Sequence, residues 1–538
     1  MTEGPGLAEE RETPMRRALL CCALLSLAVT ACSSSASTPG PYWPAPAASV
    51  APAPPYATPV PVQPAPPDYP WPTPVSTPHP PVVFPSLGIN PYTDTTYDSV
   101  STFGLDVDTA SYTVARAYVS RGLKPDANSI RPEEWVNYFD QGYAAPETGT
   151  FAIYADGGRT PFLSSGEVLV RIGVKAHNAW SGTRPPMALT FVVDVSGSME
   201  EGGRLEMVKG ALSLLANQLT ASDRVAIVAF STNARIVLHP TAGSDKQRIL
   251  AAIATLRPDA STNAEAGLRL GYQLERLQFI KGGINRVVFA TDGVANVGLT
   301  DSAGILSQLG ADAASGIQLV AVGVGMGNYN DKLLEELADK GQGYYAYVDS
   351  PAEAKRIFVD ELPTTMQTIA LNAKAQVEFN SQVVAGYRLI GYEDRGMPDS
   401  SYRNDAATGG AVSAGHEVTA LYALVLRQPE WGMQRLATVG LRWTDPSTQR
   451  TQEIAQDVYL GDLAWDFRDT DPHFKMSSLV AATAEVLRGS PWIPNYRLSD
   501  LRGAAAEMKG WLPQSAEVSD FLSMLDQLGQ MGGWPYDG

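Results

Sequence analysis

Cysteine is nearly missing. The three thiols in 538 residues are Cys21, Cys22 and Cys32, so everything beyond Cys32 folds without a disulfide, a thiolate nucleophile or a zinc-thiolate site. Histidine is also scarce: His79, His177, His239, His416 and His473 stand at no ligand or motif spacing, which leaves a hydrolase without an obvious base. His416, in AGHEVT, reads as a hydrogen-bonded core or turn residue. No G-x-x-x-x-G-K-[ST] occurs, and the glycines of VGVGMGN (322–328) read as a tight turn after a strand. Basic residues are outnumbered 40 to 57, and the formal charge of −17 repels phosphate backbones and anionic lipid surfaces. No nucleic-acid role is expected. Long apolar runs are missing as well, since ALLCCALLSLAVTA (18–31) is too short for a comfortable membrane span.

That short run follows Arg16-Arg17 and precedes small polar residues, the layout of a signal peptide over 1–31. Residues 1–14 hold four glutamates and make a poor start, so Met15 is a second candidate initiator. Val29-Thr30-Ala31-Cys32 resembles the lipobox of bacterial lipoproteins, which implies acylation of Cys32 and a membrane anchor. The expected location is the cell envelope. Ser33 is compatible with outer-membrane sorting in an organism with two membranes; otherwise the outer face of the cytoplasmic membrane is expected. Residues 32–89 continue as a proline-rich linker, PAPAASVAPAPPYATPVPVQPAPPDYP, which favours polyproline II and predicts a semi-rigid stalk.

Three folded segments are expected after it. In residues 90–184, STFGLDVDTASYTVARAYVSRG offers a strand and then a helix, with Asp108, Thr109 or Ser111 placed to cap the helix. Asp106 and Asp108 have a metal-ligand alternative, and capping is preferred. GEVLVRIGVKA (166–176) alternates like a strand. Residues 187–362 alternate apolar runs (MALTFVVD, RVAIVAF, INRVVFAT, IQLVAVGVG) with helical patterns such as Leu205, Val208, Leu212, Leu215 and Leu219. This predicts a doubly wound, Rossmann-like α/β domain. Residues 363–538 read as a β-rich stretch followed by helices.

The chemistry gathers around FVVDVSGSME (191–200), where a buried strand runs into a turn of oxygen-bearing side chains. In an open parallel sheet, ligands bind beyond the carboxyl ends of the strands. Asp194 ends the first strand of the domain, Ser196 and Ser198 follow, Thr262 lies in a loop ahead of a helix, and Asp292 follows the strand INRVVFA. Two carboxylates and three hydroxyls suit a hard cation such as Mg²⁺ or Mn²⁺ rather than zinc. Neutral hydroxyls leave such an ion under-neutralised, so an Asp or Glu of another molecule finds an open position. Ser196 as a nucleophile is disfavoured, because no glycine stands two places before it as a G-x-S-x-G elbow requires.

The D-x-S-x-S, separated Thr and T-D-G pattern resembles the metal-ion-dependent adhesion site of von Willebrand factor type A domains. The resemblance implies Ser196, Ser198 and Thr262 as direct or near-direct ligands, Asp194 and Asp292 as direct or water-linked ones, and Mg²⁺, Mn²⁺ or Ca²⁺ as the ion. The flanks, NPYTDTTYDSVSTFGLDVDTASYTVARAYVSRG before the domain and GYRLIGYEDR and AGHEVTALYALV after it, resemble bacterial YfbK-type lipoproteins. That likeness covers nearly everything from Asn90 onward. The expected function is non-enzymatic: a tethered lipoprotein that grips an unknown protein partner through the ion. The alternative is an assembly factor of an envelope complex in which the ion only stabilises the fold.

Overall fold

The computed structural model describes residues 84–534, apart from 106–107, 165, 179–183, 260–261, 293–308, 326–330, 361–366, 408, 428–432 and 494–495. The signal-peptide run, Cys32, nearly all of the proline-rich linker, and Asp106 lie outside the described residues. The first segment gives β1 (Thr93–Asp94), β2 (Val100–Gly104), α1 (Ala110–Ser120), α2 (Pro132–Asn137), β3 (Phe151–Gly158) and β4 (Glu167–Ala176). The middle gives β5 (Met187–Asp194), α3 (Arg204–Gln218), β6 (Arg224–Phe230), β7 (Ala234–Ala242), α4 (Lys246–Ala254), α5 (Ala264–Gln278), β8 (Ile284–Thr291), β9 (Ile317–Val324), α6 (Asp331–Lys340), β10 (Tyr344–Val348) and α7 (Pro351–Lys355). The last gives β11 (Thr368–Phe379), β12 (Val384–Ile390), β13 (Gly396–Met397), β14 (Gly410–Ser413), β15 (Glu417–Leu426), β16 (Arg435–Thr444), β17 (Thr451–Tyr459), α8 (Pro472–Leu487), α9 (Leu498–Met508) and α10 (Ala516–Met531).

Among the described residues, the middle segment forms a six-stranded sheet in the order β10-β9-β8-β5-β6-β7, parallel except for β7 at one edge. Every residue of β5, β8 and β9 is buried, as continuous apolar runs require when helices cover both faces. On one face α3 sets Leu205, Val208, Leu212 and Leu215 into the core, with Leu219 just past its end. On the other face α5 and α6 contribute Leu268, Tyr272, Leu274, Leu334 and Leu337. This is the doubly wound domain that the sequence predicts.

Beneath the second face lies a buried acid. Thr190 Oγ1 and Gln278 Nε2 each donate to Glu275 Oε2 at 2.7 Å, while Glu275 Oε1 has no partner. Burial pushes this carboxyl up to about 7. The native state thus holds a proton that the unfolded chain releases near 4.5, and stability falls as pH rises from 4.5 towards 7. Glu275→Gln removes the charge but keeps an acceptor for both donors. The variant is expected to gain about 3 kcal/mol over the wild type above pH 7 and to match it below pH 4.5. Urea unfolding across that range measures the difference.

The flanking segments are interleaved, which their order in the sequence hides. One sheet runs β1-β12-β15-β4-β3 and the other β13-β2-β11-β16-β17, with β14 paired to β11. In each, strands from before the middle domain sit beside strands from after it. The pairing of β4 with β15 is antiparallel, from Lys175 opposite Glu417 to Glu167 opposite Val425. The two sheets face each other across one core that includes Phe103, Val170, Ile172, Val377, Tyr422 and Trp443. The far side of the first sheet, with Leu169, Ile390, Leu421 and Ala423, is covered by α2, α8, α9 and α10. Helix α8 is buried continuously from Phe474 to Leu487, and Asp471 caps it by accepting from the backbone N–H groups of His473 and Phe474.

Helix α1 belongs to both bodies. Tyr112, Ala115 and Val119 pack into the helical layer, while Ala110, Val114 and Ala117 pack with Phe84 against the middle domain. Arg116 ties the contact down: it reaches Asp349 Oδ2 at 2.6 Å and Oδ1 at 2.7 Å, and Glu353 Oε2 at 2.8 Å. The expected local cap of α1 is not formed. Thr109, the capping residue, makes no side-chain cap bond, and Glu134 of α2 accepts from the Ser111 N–H at 2.7 Å instead. Asp108 accepts from the Tyr345 N–H at 3.0 Å and pairs with Arg395 at 3.1 Å. A helix start buried against neighbours can take its acceptor from a distant element, which a reading of adjacent residues does not see.

Candidate metal and partner site

Strand β5 lies at the centre of the middle sheet, between β8 and β6, so its carboxyl end opens on the crevice where the strand order reverses. Asp194 is its last residue and is fully buried. Its Oδ1 accepts from the Ser196 N–H at 2.8 Å and its Oδ2 from the Thr291 hydroxyl at 2.7 Å, which fixes the carboxylate between two strand ends. Val195 N–H donates to Phe230 O at 2.9 Å, turning the chain so that Ser196 Oγ and Ser198 Oγ lie 3.1 Å apart. Asp292 follows β8 and is also buried.

Thr262 reaches the same edge from a returning loop. Asp259 N–H donates to Val195 O and Asn263 N–H to Ser231 O, both at 2.6 Å, and Asp259 Oδ2 accepts from the Ser231 hydroxyl at 2.9 Å. Asn263 then caps α5 by accepting from the Ala266 N–H at 3.0 Å. Between these anchors Thr262 is buried. The loop that carries Thr262 is therefore pinned to the ends of β5 and β6, and Asp292 stands at the end of β8.

Burial is the main cause that pushes the Asp194 carboxyl up to about 6, and the Asp292 charge adds to it, while the bonds from Thr291 and Ser196 oppose both. Asp292 Oδ1 is buried with no hydrogen-bond partner. An orphaned carboxylate oxygen beside a second carboxylate and paired hydroxyls fits a hard divalent cation. Among the described residues, no group of three or more His, Cys, Asp or Glu forms a metal-holding cluster. A set of two carboxylates and three hydroxyls is a different donor class.

One residue of the crevice escaped the sequence reading. Arg204, the first residue of α3, donates through Nη1 to Asp292 Oδ2 and to Ser198 O, both at 2.9 Å. The only sequence signal was its position: an arginine at a helix N-terminus opposes the helix dipole and needs another reason to be there. Of the post-strand turn read from VGVGMGN, Gly325 has a φ of +73°, and residues 326–328 lie outside the described residues. His416 is half-buried in the turn before β15, where its carbonyl accepts from the Ala176 N–H at 2.9 Å. Burial, then Lys175 and Arg356, push its imidazole down to about 4, so it is neutral at physiological pH. Among the described residues no helix is long and apolar enough to cross a membrane.

The sequence matches three family models: von Willebrand factor type A domain over residues 188–360, YfbK C-terminal over 364–531, and von Willebrand factor over 83–171. It is 33% identical over 462 residues to the uncharacterised protein YfbK of Escherichia coli K12, covering 81% of this chain and 79% of that protein. An uncharacterised protein of Synechocystis is 29% identical over 298 residues, 54% of this chain and 69% of its own. Among solved structures, a von Willebrand factor type A protein from Catenulispora acidiphila aligns with a TM-score of 0.42 at 16% identity, over 72% of this chain and 91% of that one. The middle domain is of a type that points to protein–protein interaction. With two thirds of its relative's length matched and more, this chain belongs to the YfbK family and carries a von Willebrand factor type A domain at its centre.

Proposed function

We propose that this protein grips an acidic side chain of a partner protein at the crevice of its central domain, with Asp194, Ser196, Ser198, Thr262 and Asp292 holding a divalent ion, Mg²⁺ in the first instance. The observation that carries this reading is the buried, unpartnered Asp292 Oδ1. When bound, the ion supplies a positive centre with a coordination position open to a carboxylate. Ser196 and Thr291 hold the Asp194 carboxylate in place, one on each oxygen. The hydroxyls contribute lone pairs and no charge, so three of the five ligands add nothing to repel an incoming Asp or Glu. No nucleophile or base is needed for this task, and the proposal is a binding protein rather than an enzyme. It acts at the cell envelope, anchored through Cys32, with the proline-rich segment as its stalk.

Mg²⁺ and Mn²⁺ titrations by calorimetry test the site. The full chain is expected to bind one ion, Asp194→Asn to lose at least 100-fold in affinity, and Ser198→Ala about tenfold. A partner captured from envelope extracts is expected to be released by EDTA. A partner that stays bound in EDTA and to a folded Asp194→Ala chain sinks the metal-bridge reading. If that variant also lowers the melting temperature, the assembly-factor reading takes its place.

A further inference from the structure

The guanidinium of Arg204 is built into the crevice. It is 6% exposed, and its partner Asp292 is 1% exposed. Its bond at 2.9 Å takes Asp292 Oδ2 and leaves Oδ1 as the unpartnered oxygen. The same Nη1 holds the carbonyl of Ser198, so one side chain fixes both the serine turn and the β8 end. Room for it is provided by the turn after β9: a Cβ on Gly325 would lie 2.1 Å from Arg204 Nε, at a φ that disfavours other residues anyway. Glu201 approaches Arg204 at 3.6 Å and is largely exposed, whereas Asp292 meets it at 2.9 Å and is buried. A buried ion pair is a poor source of stability, and this one sits where the helix dipole opposes it. Its placement calls for another role.

We propose that Arg204 is a built-in countercharge. It stands in for part of a divalent ion's charge, keeps Asp292 seated when no ion is present, and weakens ion binding until an acidic side chain arrives. This rests on the metal-site reading above. Asp194 and Asp292 bring two negative charges and Arg204 one positive, a balance of −1. A divalent ion turns that balance to +1, and a partner carboxylate brings it to zero. Without Arg204 the ion alone neutralises the crevice, and an arriving acid makes it negative. Arg204 thus makes the ion and the acidic partner bind better together than separately, and it is a specificity-determining residue for acidic partners.

The test is Mn²⁺ calorimetry and thermal melting on the full chain, as wild type, Arg204→Met and Arg204→Lys, with and without N-acetyl-aspartate. Arg204→Met is expected to bind Mn²⁺ at least tenfold more tightly than wild type without the acid, and to gain less than wild type from adding it. Wild type and Arg204→Lys, which keep the charge, are expected to gain severalfold. Arg204→Met is also expected to melt early in EDTA and to recover in Mn²⁺, because the ion replaces the missing charge. Affinity in Arg204→Met equal to or below wild type overturns the proposal, as does a variant that fails to fold with Mn²⁺ present. If neither wild type nor Arg204→Met binds Mn²⁺, the metal-site reading itself falls.

Discussion

A chain ending at residue 362 is expected to keep its central domain and lose everything before it. Strand β2 lies between β13 and β11, β4 between β15 and β3, and β1 pairs only with β12 among the described residues. Removing residues 363–538 leaves β3 and β4 as a bare hairpin, which is marginal in water without a third strand or a helix to pack on. It also strips α1 and α2 of the α8–α10 layer. The middle sheet keeps β5, β6, β8 and β9 with helices on both faces, losing the cover of Phe84 and α1, the bonds of Thr368 with Arg286 and Gln318, and those of Arg395 with Glu335 and Asp339. Hydrogen exchange of the truncated chain should show protected amides in β5, β8 and β9 and unfolded-chain rates in β2–β4. Supplying 363–538 as a separate polypeptide should restore protection to β4. Native-like protection of β4 in the truncated chain alone contradicts the shared-sheet architecture.

The second large effect is expected at Glu485. This carboxylate in α8 takes Arg388 Nη2 at 3.1 Å, the Ser490 hydroxyl at 2.6 Å, and the guanidinium of Arg488. Its two arginines hold it below the ordinary carboxylate range even though burial pushes the other way as the largest cause. Arg388 is itself buried, with Nε and Nη1 unpartnered and Tyr92 and Trp492 rings 5.8 and 6.0 Å away. Glu485→Ala leaves two buried guanidinium groups without their shared acceptor, a loss of about 3–5 kcal/mol. The double variant Arg388→Met with Glu485→Met removes both charges and is expected to recover much of that loss, since a packed apolar pair often replaces a buried ion pair. Urea unfolding of the single and double variants separates the two. A Glu485→Ala chain as stable as wild type means that the ion pair contributes nothing.

How much of this was legible depended on where each signal lay. Strands β5, β6, β8 and β9 announced themselves because parallel strands buried on both faces are unbroken apolar runs. Strand β7, ARIVLHPTA, did not, because it carries Pro240, which edge strands tolerate and interior ones do not. Strand β17, TQEIAQDVY, is mostly exposed and offers no apolar alternation strong enough to notice. The five oxygen-bearing candidates were readable because each stands at the edge of a recognisable element, with Asp194 and Asp292 at the ends of apolar runs. Arg204 was not, since the bond that gives it meaning spans 88 residues. The interleaving of the flanks was invisible for the same reason: strand neighbours such as Val377 and Ser101 are chosen by packing across the whole middle domain.

The two points where the chain enters and leaves its middle domain are each rooted in an interior strand, β4 in one sheet and β11 in the other. A tug on anything held at the crevice is therefore shared between both halves of the sandwich. Detaching the domain would mean tearing an inner strand away from two neighbours. A domain resists mechanical load better when it is threaded through its own foundation than when it dangles from one end.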